Sequence, residues 1–167
     1  MHRRALAYAT LLLVLVAAAS WLAACGGAPG AAATSSPAPA LQGTTLHGQA
    51  FDLADLAHKP IIVNFFASWC PPCNNEAPDL AAFAKAHPEV QIVGVATNDA
   101  QADTAAFVEK YGLPYTIVMD PNGAIATAWG AAAIPRTVFI DAQGKVRDAI
   151  VGAASRQQFE VGLKGIQ

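Results

Sequence analysis

Charge is scarce in this chain. Asp, Glu, Lys and Arg make up 13% of its 167 residues, with 10 Lys+Arg against 12 Asp+Glu and a net charge of −2. So thin and balanced a set offers no broad basic field, and no nucleic-acid partner is expected. A composition that is 54% hydrophobic, with three Trp, also argues against a solvated disordered chain. Cysteine is rarer still: three residues are too few to staple a miniprotein. The four His, at positions 2, 47, 58 and 87, have no paired spacing, so no metal site is expected. No internal repeat is visible. What the chain does have is length for one domain, or one domain plus a tail. Its mean hydropathy of +0.34 is high, and much of the excess sits in the first 25 residues.

Those residues read as a targeting segment. His2-Arg3-Arg4 gives a basic start, Ala5 to Ala24 carries no charge, and Leu22-Ala23-Ala24-Cys25 supplies small residues before a cleavage point. The ending resembles the lipobox of bacterial lipoproteins. That resemblance implies a signal peptide over 1–24, lipid attachment at Cys25, and an anchored first residue held by several acyl chains. Two other readings stay open: an uncleaved apolar helix spanning a bilayer, and cleavage by the ordinary signal peptidase. All three place the remainder outside the cytoplasm, either anchored to the extracytoplasmic face of a bacterial membrane or secreted.

From Gly26 to Ala40 the chain reads GGAPGAAATSSPAPA, with no charge and no large side chain. Together with Cys25 this segment, 25–40, is expected to be a flexible tether, and a folded domain is expected over 41–167. Thr44 to Phe51 suggests a hairpin turning at His47-Gly48, and Asp52 a cap for a brief helix through His58. Ile61 to Ala67 (IIVNFFA) is a nearly continuous apolar run, the pattern of a strand covered on both faces. Helices are expected over 71–86 and 103–111, the second ended by Gly112. Strands are expected over 90–96, 115–119, 136–140 and 145–151, the last two joined at Asp141-Ala142-Gln143-Gly144. Ser155 should cap a final helix. Alternating strands and helices with a closing hairpin imply an α/β fold with a mixed sheet and helices on both faces.

Trp69-Cys70-Pro71-Pro72-Cys73 falls where the first long strand passes into the first long helix. Two thiols separated by two residues at a helix start can bridge through a tight turn. The free N–H groups and partial positive charge there stabilise a thiolate. Cys70 is expected to be the exposed, attacking sulfur and Cys73, inside the first turn, the resolving one. Pro71 and Pro72 are tolerated because first-turn N–H groups lack intrahelical partners. Pro72 cannot donate toward Cys70, so thiolate stabilisation falls to the dipole and the N–H of Cys73. A zinc half-site would need ligands this chain does not place nearby, and a purely structural bridge across so small a loop would gain little entropy.

Phe65-Phe66-Ala67-Ser68-Trp69-Cys70-Pro71-Pro72-Cys73, followed by Glu76 and Pro78, resembles the thioredoxin superfamily, and more narrowly the TlpA/ResA group of membrane-tethered thiol–disulfide oxidoreductases. The likeness runs from about Thr44 to Lys164. It implies a thioredoxin-like three-layer α/β/α fold with an added N-terminal β-hairpin. It also implies a redox-active Cys70–Cys73 pair acting on protein disulfides or thiols, without metal or organic cofactor. Ile134-Pro135-Arg136-Thr137 matches the superfamily's cis-proline loop, which faces the cysteines; an X–Pro bond reaches cis at modest cost.

The same resemblance implies that Glu76 tunes the thiols and shuttles their protons, although an acidic first-turn residue also simply complements the helix dipole. Asn64 stands in the apolar strand where thioredoxin has a buried Asp, which leaves Glu76 as the nearest carboxylate in sequence. Pro78 matches the helix-kinking proline. Trp69, Pro71, Pro72, Ile134 and Pro135 are expected to receive the substrate. The group's members serve cytochrome c maturation or reduce extracytoplasmic disulfides, which implies a reducing direction and a membrane thiol electron donor. Two rival functions remain. A peroxiredoxin-type thiol peroxidase would want Thr where Ala67 stands. A copper-delivery lipoprotein of the Sco kind would want Cys-x-x-x-Cys and a His beyond His87.

Overall fold

A computed structural model describes residues 35–167. The lipid-attachment expectation at Cys25, the leader and most of the tether lie outside the described residues. Among the described residues no helix is long and apolar enough to cross a membrane.

Eight strands form one mixed sheet: β1 (Ser36–Pro37), β2 (Gln42–Thr45), β3 (Ala50–Asp52), β4 (Ile61–Phe66), β5 (Gln91–Thr97), β6 (Thr116–Asp120), β7 (Arg136–Ile140) and β8 (Lys145–Val151), in the order β1-β8-β7-β4-β5-β6-β2-β3. The helices among the described residues are α1 (Pro71–Ala86), α2 (Gln101–Tyr111), α3 (Ala124–Ala128) and α4 (Arg156–Lys164). Strand β4 pairs in parallel with β5 and antiparallel with β7, so it lies at the centre. All six of its residues are buried, which is why IIVNFF runs apolar without alternation.

Alternate residues of β4 serve different layers. Ile61, Val63 and Phe65 join Val93, Val95, Val118 and Trp129 in one core cluster. On the opposite face Phe66 packs with Ala77, Ala81 and Phe107, and Ile62 with Leu80, Phe83, Phe139 and Phe159. These contacts put α1, α2 and α4 together on one side. The other side is covered by α3 and a 3₁₀ turn over Leu53–Leu56. Both faces are thus covered, as the α/β/α expectation requires, but unequally. Close approach of α4 to the sheet depends on Gly162, where a Cβ would collide with the Phe139 ring.

The N-terminal hairpin forms where expected, with Thr45 N donating to Gln49 O across the turn. Asp52 caps the turn that follows, its Oδ1 accepting from Ala54 N at 2.9 Å, but that turn ends at Leu56 rather than His58. Ser155 leads into α4, donating through both N–H and hydroxyl to Gln158 Oε1. Helix α2 starts at Gln101, earlier than expected, and ends at Gly112 in the left-handed conformation (φ 59°) that glycine adopts readily.

Two features lie beyond these expectations. Ser36 and Pro37 pair with Val146 and Lys145 as an edge strand, so the ordered fold reaches back into the expected tether. Short side chains give no burial signal, and the pairing is made by backbone. The second is α3, after which Trp129 enters the core and donates through Nε1 to Ala40 O at 3.1 Å.

Candidate active site

Cys70 and Cys73 are joined in a disulfide at the start of α1. Cys70 is the N-cap residue, in extended conformation, and its Sγ accepts from Cys73 N at 3.2 Å. Pro71 and Pro72 occupy the next two positions and bring no N–H of their own. The one donor expected to serve Cys70 is therefore in place. The expected exposure of Cys70 is not: it is 3% exposed and Cys73 2%, so in the bridged form neither sulfur is open to solvent. In this form the Cys70 sulfur lies 3.8 Å from the Ile134 carbonyl oxygen.

The Ile134–Pro135 peptide is cis. Pro135 immediately precedes β7, the strand hydrogen-bonded to β4, which is why a residue far along the chain stands beside the cysteines. Around the pair, Trp69 is 60% exposed, Pro71 and Pro72 are exposed, Ile134 is half-buried and Pro135 is buried. Trp69 and Ile134 also border a shallow hollow shared with Asn98, Gly123, Thr127 and Ala132. Trp69, Pro71, Pro72 and Ile134 thus reach the surface beside the disulfide, with Trp69 the most exposed, whereas Pro135 lies beneath it. Pro78 lies within α1 on its exposed side.

Glu76 lies one helical turn beyond Cys73 and is 3% exposed. Asn64 Nδ2 donates to its Oε1 at 2.7 Å, and Ala154 N donates to its Oε2 at 2.7 Å. The Asn64 amide also donates to Thr137 Oγ1 at 3.0 Å, tying β4 to β7 beneath the disulfide. Burial pushes the Glu76 carboxyl up to about 7; the Ala154 N–H and the Asn64 amide oppose that rise, and nearby Asp79 adds a little to it. A carboxyl that titrates near neutrality suits proton transfer, whereas a surface acid at a helix start would be ionised throughout. The Tyr115 hydroxyl is also pushed up by burial and by the Glu76 charge.

Sequence reasoning found Asn64 and Glu76 but not their partners Thr137 and Ala154. It also missed the supports of the loop before Cys70, chiefly Asp99 and Asn74. Apart from the Asn74 bonds to Ser68 and Cys70, these contacts join residues 31 to 78 positions apart, and no local pattern marks them. Among the described residues no group of three or more His, Cys, Asp or Glu is arranged to hold a metal ion.

Comparison with known proteins agrees with this geometry. Residues 32–162 match the Redoxin family. The thiol-disulfide oxidoreductase ResA of Bacillus thuringiensis (strain Al Hakam) is 31% identical over 131 residues, covering 77% of this chain and 76% of the relative. The thiol:disulfide interchange protein DsbE of Xylella fastidiosa (strain Temecula1 / ATCC 700964) is 35% identical over 127 residues, 74% of this chain and 64% of its own length. Among solved structures, a secreted Mycobacterium tuberculosis disulfide oxidoreductase homologous to E. coli DsbE superimposes with a TM-score of 0.70. It is 35% identical and covers 74% of this chain and 94% of its own. A bridged Cys-Pro-Pro-Cys pair capping a helix beside a cis-proline, on a chain with these relatives, places the protein in the Redoxin family as a thioredoxin-fold thiol–disulfide oxidoreductase of the TlpA/ResA kind.

Proposed function

We propose that this protein reduces protein disulfides outside the cytoplasm, with Cys70 as the attacking thiol, Cys73 as the resolving thiol and Glu76 as their proton-exchanging neighbour. The Cys70 thiolate attacks one sulfur of a substrate disulfide, forming a mixed disulfide and releasing the other sulfur as a thiolate. Cys73, deprotonated, then attacks Cys70, releases the second substrate thiolate and leaves Cys70–Cys73 bridged. Two electrons pass to the substrate, whose thiolates take up the two protons lost by the cysteines. The buried Glu76 carboxyl is suited to accept the proton from Cys73, the deeper thiol, on its way to solvent. Trp69, Pro71, Pro72 and Ile134 form the surface that receives the substrate chain, with the buried Pro135 setting the course of the loop beside them.

The observation that carries this reading is the bridged pair at the α1 N-terminus, with the single Cys73 N–H directed at Cys70 Sγ. An extracytoplasmic setting is supported by the basic-apolar leader ending at Cys25 and by the secreted relative from M. tuberculosis. In this reading Cys25 carries the lipid anchor, 25–40 leads to the domain, and a membrane thiol donor returns electrons to the bridged pair. Cytochrome c maturation is the substrate setting that the family resemblance favours.

The test is the reduction potential, measured by equilibration with defined thiol/disulfide buffers. A potential near or below the roughly −270 mV of thioredoxin supports a reductant, whereas one near the roughly −120 mV of a strong periplasmic oxidant reverses the direction. Cys73→Ser should accumulate the mixed disulfide with a substrate protein and Cys70→Ser should form none. Trapping by the Cys70→Ser variant instead would exchange the two roles.

A further inference from the structure

The chain that carries Cys70 leaves the sheet at Phe66 and has no ladder partner again before α1 begins. Its supports are side chains. Ser68 N donates to Asp99 Oδ2 at 2.7 Å and Ser68 Oγ to Asp99 Oδ1 at 2.8 Å. Asn74 Nδ2 donates to Ser68 O at 2.9 Å and to Cys70 O at 3.0 Å. The Asn74 Oδ1 accepts from Tyr111 OH at 2.8 Å, and Lys110 Nζ lies 3.5 Å from it. Trp69 Nε1 donates to Asn98 O at 3.0 Å, and Cys70 N closes the turn onto Ala67 O at 3.2 Å. Asn74 belongs to α1 itself, so it ties the loop to the helix that follows. Asp99 belongs to the segment after β5, and with its neighbour Asn98 it ties the loop to the sheet.

Asp99 is built for this task. It is buried, and each oxygen receives two donors: Oδ2 from Ser68 N and from Thr104 Oγ1 at 3.0 Å, Oδ1 from Ser68 Oγ and from Ala100 N at 3.0 Å. A carboxylate so fully donated to is a rigid acceptor rather than a mobile charge. It also stands at the N-terminal end of α2, where the helix dipole favours negative charge.

In the bridged form the disulfide holds Cys70 against Cys73 covalently. Once the bond is reduced, that constraint is gone, and Cys70 Sγ stays over the Cys73 N–H only if the loop before it is held. Pro71 and Pro72 offer no N–H to take over. We propose that Asp99, acting through Ser68, is a positioning residue for the redox pair: its two bonds to Ser68 keep the reduced Cys70 at the α1 N-terminus, where the thiolate is stabilised. Asp99 does not touch the sulfur, and its role is in geometry rather than charge. The proposal rests on Cys70 being the attacking thiol.

The test uses the full chain with Cys25→Ala and Cys73→Ser, which leaves Cys70 as the only thiol. Thiolate absorbance against pH gives the pH at which half of Cys70 is ionised. Adding Asp99→Ala should move that midpoint upward by about half a unit or more, roughly a threefold loss of thiolate at a pH below it. Asp99→Asn retains an acceptor oxygen for Ser68 and should restore most of the loss. In the chain with both active-site cysteines, Asp99→Ala should lower the melting temperature more in the reduced form than in the bridged form.

If the carboxylate instead acted by its charge, both Asp99 variants would move the midpoint downward together, which would overturn the proposal. An unmoved midpoint with equal destabilisation of the two redox forms would overturn it too, leaving Asp99 as plain scaffold. Should Asp99→Ala fail to fold, Ser68→Ala removes only the hydroxyl bond. It should shift the midpoint in the same direction by less, and no shift counts against the idea. A Cys70 that ionises like a free thiol before Asp99 is changed would sink both this proposal and the attacking role of Cys70. A Cys70 ionising well below a free thiol yet indifferent to Asp99 and Ser68 would sink this proposal alone.

Discussion

The two faces of strand β4 are made by alternate residues of one short run, yet they are different environments. On one face Ile61, Val63 and Phe65 meet Val93, Val95, Val118 and Trp129 in an apolar core, with Phe65 and Trp129 ring centroids 5.7 Å apart. On the other, between Ile62 and Phe66, Asn64 brings a buried amide against the Glu76 carboxyl and the Thr137 hydroxyl. The difference shows how this fold accommodates an ionisable group. One polar residue is set into the central strand on the helix face only, beneath the cysteine pair, and donors from β4 and the segment before α4 meet both carboxyl oxygens. The opposite face keeps stability free of that requirement.

Exchanging the polar and apolar positions should give the largest effect. Val63→Asn buries an amide with no partner in the apolar cluster, at a cost of about 3 kcal/mol or more from lost packing and unmet hydrogen bonds. Asn64→Val, one residue along, should cost less in stability, because the residue is replaced by an apolar one of similar bulk. It should instead push Glu76 above its value of about 7, since the amide bond that favours the ionised form is gone. Denaturant titration of the two variants, with carboxyl titration followed by NMR for the second, checks both. Equal stability losses and an unmoved Glu76 would mean the two faces are not specialised in this way.

The next effect is in the pH dependence of folding. The folded carboxyl of Glu76 holds its proton up to about 7 against an ordinary value of 4.5, so the folded state binds more protons than the unfolded chain across that interval. Its contribution is therefore fully present below 4.5 and lost as pH rises through 7. Glu76→Gln should flatten the stability profile between pH 4.5 and 7 whatever its constant offset. A profile as steep as that of the unsubstituted chain would place the titrating group elsewhere.

The smallest effect belongs to the far end of the same helix face. His87 follows α1, packs against the Phe83 ring at a tilt of 37°, and bonds Glu160 of α4 through Nε2 at 3.0 Å and Glu89 through Nδ1 at 3.2 Å. The Glu160 contact chiefly, aided by Glu89, raises its proton affinity above the ordinary 6.5. The stabilisation it brings is present below 6.5 and fades as pH rises through the raised value. Because Glu89 is exposed and Glu160 only half-buried, His87→Asn should cost no more than about 1 kcal/mol at pH 6 and less at pH 8. A larger loss, or one independent of pH, would show that packing against Phe83 rather than the ion pair matters at this end.

Elements with a strong local signature are legible in the amino-acid order. Pro71 and Pro72 at a helix start, the unbroken IIVNFF run and the Asp141-to-Gly144 turn each mark their element by short-range sterics or burial, and α1, β7 and β8 have the expected bounds. Ser36–Pro37 and Ala124–Ala128 are not legible, because segments so short carry no periodic burial signal and their places depend on pairing with β8 and on the core that Trp129 enters. At the site, Cys70 and Cys73 are readable from their motif, whereas the cis Ile134–Pro135 bond is implied only by the family resemblance. Ser68 looks like one more residue of the motif, and nothing near Asp99 marks it as its partner.

The amino-acid order alone establishes that two thiols sit at a strand-to-helix junction with a helix dipole behind them, since residues within one turn of each other dictate that arrangement. It does not establish how buried Glu76 is, which donors meet its two oxygens, or that Asp99 braces Ser68. Those depend on β4, β5, β7 and the segment before α4 converging at one end of the sheet. Burial and hydrogen bonding between residues 31 to 78 positions apart exist only once the sheet order is set.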